Sequence, residues 1–268
     1  MLEKKFILGV GITSATMGEV LEYIIKGLEK NKKKYFIVTP NPEILTLANN
    51  DFSYRNILNR AKIALSDGVG VIMAGKILGR SFKARVTGVD LLEKLCQRAA
   101  EKPITVGFLG AKDKIAEKAA ECLQKKYPGL KSVFAGERWP GDEIQLNKRF
   151  KIYDLRFKKK REKFINHKSY IINHPAIDIL FVAFGAPKQE IWISENLDKL
   201  PVRVAIGVGG AFDYISGKVV RAPLIIRRLG FEWLFRLIIE PWRIKRQLEL
   251  LEFMWLVLKE KLASKSII

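Results

Sequence analysis

An aspartate directly after a short apolar run is where an open α/β sheet would hold a general base, and Asp67 follows the run Ile63–Leu65 in Ser66-Asp67-Gly68-Val69-Gly70. Such a carboxylate can take the proton from a hydroxyl nucleophile, a contribution of about 10²–10⁴ in rate. As a simple turn, Asp-Gly needs no such role. Three more apolar runs end in polar or glycine-rich segments. After Tyr35–Val38 comes Thr39-Pro40-Asn41-Pro42-Glu43. There Asn41 is a good helix N-cap, Pro42 fits a first helical position and Glu43 complements the helix dipole, an arrangement that also turns N–H groups and polar side chains toward a crevice. After Ile179–Phe184 comes Gly185-Ala186-Pro187-Lys188-Gln189-Glu190, a tight turn into a helix N-terminus suited to a sugar or phosphate. After Val202–Ile206 comes Gly207-Val208-Gly209-Gly210-Ala211-Phe212-Asp213, where glycines let the backbone approach a ligand and Asp213 offers a carboxylate to sugar or ribose hydroxyls. Near the C-terminus, Arg243 and Arg246 share a helix face at i, i+3, with Arg236 just upstream of Pro241. Alone, these arginines read as a solvated basic face. Combined with the strand-end motifs, they read as guanidinium forks for phosphate oxygens.

The elements that must hold these residues follow from the hydrophobic pattern. Strands are expected at Phe6–Val10, Tyr35–Val38, Ile63–Leu65, Ile104–Leu109, Ser132–Ala135, Ile179–Phe184 and Val202–Ile206. Helices are expected near Thr16–Lys30, Asn41–Leu47, Asp90–Ala100, Lys112–Lys126 and Pro187–Asn196. Continuous apolar strands alternating with helices define an α/β fold: a mostly parallel sheet sandwiched by helices, Rossmann-like. In open sheets of this kind, ligands bind beyond the carboxyl ends of the strands. The core is expected over residues 1–220, interrupted by a basic insertion at about 143–170 that holds ten Lys or Arg against three acidic residues. Such a charge run reads first as a solvated surface segment. A helical appendage follows over 221–268. In its last helix Ile244, Leu248, Leu251, Trp255, Leu258 and Leu262 form one apolar stripe, whose pattern fits packing on the body or a subunit and fits a membrane surface equally well.

Composition narrows the chemistry. Of 268 residues, 48 are Lys or Arg and 28 are Asp or Glu, giving a formal charge of +20, with 48% hydrophobic residues and a mean hydropathy near zero. The apolar content excludes a disordered chain, and the charge calls for an anionic partner: nucleic acid, a phosphorylated substrate or an anionic membrane surface. Two cysteines, Cys96 and Cys122, and two distant histidines, His167 and His174, give neither a disulfide framework nor zinc spacing. No apolar run is long enough to span a bilayer, and Lys4-Lys5 before Phe6–Ile12 imitates a signal peptide only weakly, so a cytosolic protein is expected. No glycine cluster completes a dinucleotide fingerprint, and no P-loop exists. That weakens a nicotinamide oxidoreductase. A nucleic-acid-binding protein rests on charge alone. The chain also lacks an Asp-x-Asp pair with which to hold a diphosphate through a divalent metal, so any diphosphate is expected to be neutralised by arginine.

Thr39-Pro40-Asn41-Pro42, Asp67-Gly68-Val69-Gly70, Arg85-Val86-Thr87-Gly88-Val89-Asp90, Gly185 to Glu190, Gly207 to Asp213, Arg221-Ala222-Pro223 and the stretch from Glu232-Trp233 through Arg236, Glu240-Pro241, Arg243 and Arg246 occur in that order over nearly the whole chain. Together they resemble the WecG/TagA/CpsF family of bacterial glycosyltransferases. The resemblance implies an inverting, metal-independent transferase that needs no cofactor. Such an enzyme moves N-acetylmannosamine or a related hexose from a UDP donor to undecaprenyl-diphosphate-linked N-acetylglucosamine, as in teichoic acid linkage-unit synthesis. It implies Asp67 as general base, with Thr39, Asn41 and Gln189 lining the sugar site. Asp213, Gly209 and Gly210 would contact the nucleotide, and Arg236, Arg243 and Arg246 would reach the diphosphate from an appendage closing over the site. The same resemblance implies a dimer or trimer in solution and a peripheral enzyme on the cytoplasmic membrane face, with no nucleic acid as partner. The basic insertion departs from the family pattern and lies away from every motif.

Overall fold

The computed structural model describes residues 2–30, 33–139 and 176–265. Six strands form one parallel sheet in the order β4-β3-β8-β7-β5-β6. They are β3 (Tyr35–Val38), β4 (Ile63–Ala64), β5 (Thr105–Gly110), β6 (Lys131–Gly136), β7 (Ile177–Ala183) and β8 (Val202–Gly207). The expected α/β class with a mostly parallel, helix-sandwiched sheet is therefore the observed one. Successive strand side chains point to opposite faces, and the central β7 shows it. Phe181 and Ile179 enter one fully buried cluster, while Leu180 and Val182 enter the other.

On the first face, α1 (Met17–Lys30), α5 (Gly88–Ala100) and α6 (Ile115–Lys126) press Val20, Ile24, Leu91, Leu95, Ala119 and Leu123 onto Phe108 and Phe181. On the second lie α2 (Pro42–Asn50), α3 (Phe52–Arg60), α4 (Val69–Ile77) and α7 (Lys188–Asn196), contributing Leu45, Leu58, Val71 and Ile193. Each buried Leu or Ile of this kind contributes about 1.5–3 kcal/mol relative to exposure, so both faces need their helical cover.

The expected strand Phe6–Val10 is corrected. A two-stranded antiparallel hairpin, β1 (Lys4–Ile7) and β2 (Val10–Thr13), stands apart from the main sheet, with Ile7 paired to Val10 across the turn Leu8-Gly9. Both turn residues have positive φ, 48° at Leu8 and 75° at Gly9. Such a turn fits the twist of its flanking strands. Leu8 carries no turn signal, so the apolar run read as a single strand. The basic insertion at about 143–170 lies outside the described residues.

After β8 comes the short α8 (Ala211–Ile215), and the chain after Ala222 is helical: α9 (Leu224–Leu229), α10 (Glu232–Ile239), a single 3₁₀ turn Pro241–Arg243 and α11 (Ile244–Lys265). The long helix α11 lies on α2 and α4 through Phe253 and Val257, both 0% exposed. The stripe Ile244, Leu248, Leu251, Trp255, Leu258 and Leu262 points away from the body and is exposed throughout. Packing of that stripe on its own chain is thereby overturned. The physical reason is that the helix is apolar on two faces, and the narrower one, Phe253 with Val257 one turn on, fills the groove beside α4. Among the described residues no helix is long and apolar enough to cross a membrane.

Candidate active site

Because β4, β3, β8 and β7 are neighbours running parallel, the segments after their C-terminal ends share one rim. They surround a cavity of about 910 Å³ that Thr39, Asn41, Asp67, Gln189, Gly209, Gly210, Asp213 and Arg236 all line.

Asp67 is held by its own backbone first. Its N–H donates to Leu65 O at 2.9 Å and Pro40 O at 3.2 Å, and its Oδ2 accepts from Gly88 N, the first residue of α5, at 3.1 Å. Burial at the cavity floor pushes this carboxyl up to about 7. The Gly88 N–H and the Arg85 guanidinium act against the rise, and the carboxylates of Glu232 and Asp90 add to it. A carboxylate poised near neutrality is matched to general-base work.

The loop opposite interlocks with it. Asn41 Oδ1 caps α2 by accepting from Ile44 N at 2.9 Å, and Pro42 opens the helix. A Cβ at Gly70 would stand 2.6 Å from Pro42 Cγ, so glycine there lets the Thr39-to-Pro42 and Asp67-to-Gly70 loops close on each other. Thr39 is 5% exposed and its hydroxyl donates to Gly207 O at 3.0 Å, tying β3 to β8 at the cavity edge. Gln189, 1% exposed, accepts from Gly209 N at 3.0 Å and donates to Glu190 at 2.7 Å. Thr39 and Gln189 therefore line the cavity with polar groups already committed to shaping it. Each hydrogen bond is worth about 1 kcal/mol net, but leaving the Gly209 donor unmet would cost more.

Arg236 arrives from α10. Its guanidinium lies 4.7 Å from the Tyr214 ring centre, pairs with Glu240 at 2.6 Å and sits 3.4 Å from where a Gly210 Cβ would be. Burial depresses its pKa, and Glu240, Tyr214 and Asp213 outweigh that, so the group stays cationic. Arg243 closes the 3₁₀ turn and Arg246 lies in the first turn of α11, but their side chains fall outside the described ones.

Arg85, Thr87, Arg221 and Glu232, without an assigned role, also line the cavity, and Asp90 and Arg227 join them in one cluster. Arg221 binds Asp90 at 2.7 Å and Glu232 at 3.1 Å, and Arg227 lies 3.7 Å from Asp90. Thr87, the N-cap of α5, donates to Asp90 Oδ2 at 2.7 Å, and Arg85 donates to Arg227 O at 3.1 Å. This cluster joins the appendage to the N-terminus of α5, one turn from the Asp67 contact. Arg85, Asp90 and Arg221 stand inside the quoted motifs. Only the partner of each, supplied by the fold, gives it a job. Among the described residues no group of three or more His, Cys, Asp or Glu is placed to hold a metal ion.

The cavity mouth has a second character. Val69, Met73, Leu229, Phe231, Trp233, Leu250 and Met254 form an apolar wall next to the polar floor. Met73, Leu229, Phe231 and Trp233 are exposed.

At the carboxyl edge of a parallel α/β sheet, a buried carboxylate raised toward neutrality, polar loops and Arg236 from the C-terminal helices thus line one cavity, an arrangement able to deprotonate a hydroxyl beside a bound anion. The chain belongs to the glycosyl transferase WecG/TagA/CpsF family, whose model matches residues 6–267, and it is a glycosyltransferase. It is 32% identical over 237 residues to a protein of Bacillus spizizenii, covering 88% of this chain and 83% of the relative. A Bacillus subtilis protein is 29% identical over 265 residues, 99% of this chain and 95% of the relative. A Staphylococcus aureus protein is 30% identical over 256 residues, 95% and 92%. Each of the three is named N-acetylglucosaminyldiphosphoundecaprenol N-acetyl-beta-D-mannosaminyltransferase.

Proposed function

We propose that this enzyme transfers N-acetylmannosamine, or a closely related hexose, from a UDP donor to N-acetylglucosamine carried on undecaprenyl diphosphate. The reading rests on the named activity of its relatives. The observation that carries it in this chain is the divided cavity: Asp67 on the floor with Arg85, Arg221 and Arg236 lining the same space, and an apolar wall continuing onto the exposed appendage. An amphiphilic acceptor with a sugar diphosphate head and a polyprenyl tail matches both halves.

In the proposed reaction the acceptor hydroxyl oxygen attacks the anomeric carbon while the bond from that carbon to the UDP oxygen breaks. One displacement inverts the centre. Asp67 receives the hydroxyl proton. Charge growing on the departing diphosphate meets Arg236, with Arg243 and Arg246 on the same segment. A preorganised donor of this kind is worth about 3–4 kcal/mol. Asn41 contacts the transferred sugar, Thr39 and Gln189 shape its pocket, and Gly209, Gly210 and Asp213 meet the nucleotide. With no Asp-x-Asp sequence to carry a divalent ion, arginines are the diphosphate's counter-charge.

The exposed stripe of α11 calls for a cover in water. In this reading a second or third copy supplies it in solution, and the cytoplasmic leaflet supplies it at the membrane. The test is incubation with a panel of UDP sugars and a short-chain lipid-diphosphate N-acetylglucosamine in EDTA. Product of inverted anomeric configuration from UDP-N-acetylmannosamine is expected. No product from any UDP sugar would overturn the assignment, and product only after a divalent cation is restored would overturn metal independence.

A further inference from the structure

One buried carboxylate has no part in the reaction above. Glu190, in the first turn of α7, is 0% exposed. Its Oε2 accepts from the Tyr54 hydroxyl of α3 at 3.0 Å and its Oε1 accepts from Gln189 Nε2 at 2.7 Å. The Gln189 carbonyl in turn accepts from Gly209 N at 3.0 Å. Gly209 lines the cavity, and its neighbour Gly210 abuts the Arg236 guanidinium. Tyr54 itself is 2% exposed and does not line the cavity.

The order of donors and acceptors fixes what Glu190 does. A primary amide has one acceptor end and one donor end, and nothing intrinsic to it decides which end faces Gly209. Gly209 offers an N–H, so Gln189 must present oxygen to it. Because Glu190 demands a donor from the other end of the same amide, the opposite orientation would leave two pairs of like groups facing each other. We infer that Glu190, anchored by Tyr54, is a positioning residue that sets the Gln189 amide and through it the Gly209-Gly210 loop that receives the nucleotide diphosphate. This rests on the reading of that loop as the nucleotide site. Burying an ionisable group is costly unless it is fully hydrogen-bonded. Here that cost holds the loop in shape. Burial raises the pKa of Glu190, and its bonds from Gln189 and Tyr54 oppose the rise.

The experiment is calorimetric titration of the full chain with UDP, paired with thermal melting. Wild-type protein is measured first. Failure to bind UDP would sink the nucleotide reading and this inference together. Glu190→Leu removes the acceptor and frees Gln189 to turn, so UDP affinity should fall about tenfold, the size expected for an unmet buried donor. Glu190→Gln can still accept from Gln189 and donate to the Tyr54 oxygen, and should bind within about threefold of wild type. In a Gln189→Leu background, Glu190→Leu should cost no further affinity. If Glu190→Leu folds and binds UDP like wild type, with only its melting temperature lowered, Glu190 is a packing residue and the inference fails. If Glu190→Leu does not fold, Tyr54→Phe decides. It deletes one donor to the same carboxylate and should weaken UDP binding about two- to threefold. Wild-type affinity in that variant overturns the inference.

Discussion

The floor of the cavity and the C-terminal helices beside it, a lid in the proposed function, are built in different ways. Floor loops are short, begin at strand ends and are tied by hydrogen bonds within the sheet layer: Asp67 to Pro40, Leu65 and Gly88, Thr39 to Gly207, Gln189 to Gly209. The lid, residues 224–265, rests on two fully buried side chains, Phe253 and Val257, and on a few polar hooks: Arg221 with Asp90 and Glu232, and Glu260 with Arg80 and the Leu8 N–H. Its outer surface is a row of exposed Leu, Ile and Trp. A floor of this kind is preorganised. A lid of this kind can loosen while the sheet stays folded, because its anchoring surface is small relative to the core.

The sharpest break of the comparison is at Asp67. Asp67→Asn keeps shape and the Gly88 contact but cannot take a proton. Turnover should fall about 10²- to 10⁴-fold while UDP binding is retained. An active Asp67→Asn enzyme would remove Asp67 as base. On the lid, Phe253→Ala should cost about 3–5 kcal/mol of docking, the usual range for a buried phenylalanine. Limited proteolysis should then cut α11 well before the sheet, and the sheet's own melting transition should stay. A single cooperative loss of both would show that lid and floor are one unit. Third in size, Arg236→Gln should lower kcat about 10²-fold or more with little change in melting, since in the proposed reaction the residue meets charge that grows on the leaving group. Equal losses in kcat and in global stability would instead make it a structural strut.

Much of the floor could be read from sequence because its signals are local. Asn41 and Thr87 are caps, Pro42 opens a helix, and Asp67 follows an apolar run. Gln189 and Asp213 each lie within the first residues after a turn. Such features need only a few neighbouring residues to be recognised. What escaped was masked by a misleading local signal or depends on distant partners. Helix α4 was hidden behind Asp67-Gly68, which reads as a turn. Helix α3 follows α2 so closely that Asp51 serves both as the end of one and the cap of the next. The hairpin was concealed by a Leu at positive φ. The direction of α11 was undecidable because both its faces carry apolar residues, and only the groove between α2 and α4 selects Phe253 and Val257. Glu190 reads as a surface charge at a helix start until Tyr54, 136 residues earlier, is brought against it.

The smallest expected effect tests whether the lid reaches the chemistry through the electric field alone. As the proposed base, Asp67 would have to be ionised to accept a proton, and its carboxyl is raised to about 7, so kcat/KM should climb from acid pH to a plateau above 7. Burial is the main cause of the raised value, and Glu232, on α10, adds to it by its negative charge. Glu232→Gln removes that charge and leaves Arg221 less neutralised. Both changes favour ionised Asp67, so the acid limb should move to lower pH. Glu260→Gln loosens the lid at its far hook, beside the hairpin, and should leave the limb in place. The stability consequence has the opposite sense. A carboxyl whose pKa is higher folded than unfolded binds its proton more tightly in the native state, so stability falls as pH rises from near 3.8 to about 7. Asp67→Asn should escape that fall and melt higher than wild type at pH 8. If the limb does not shift in Glu232→Gln, the lid acts on Asp67 only by excluding water, and the charge pairing at Arg221 serves docking alone.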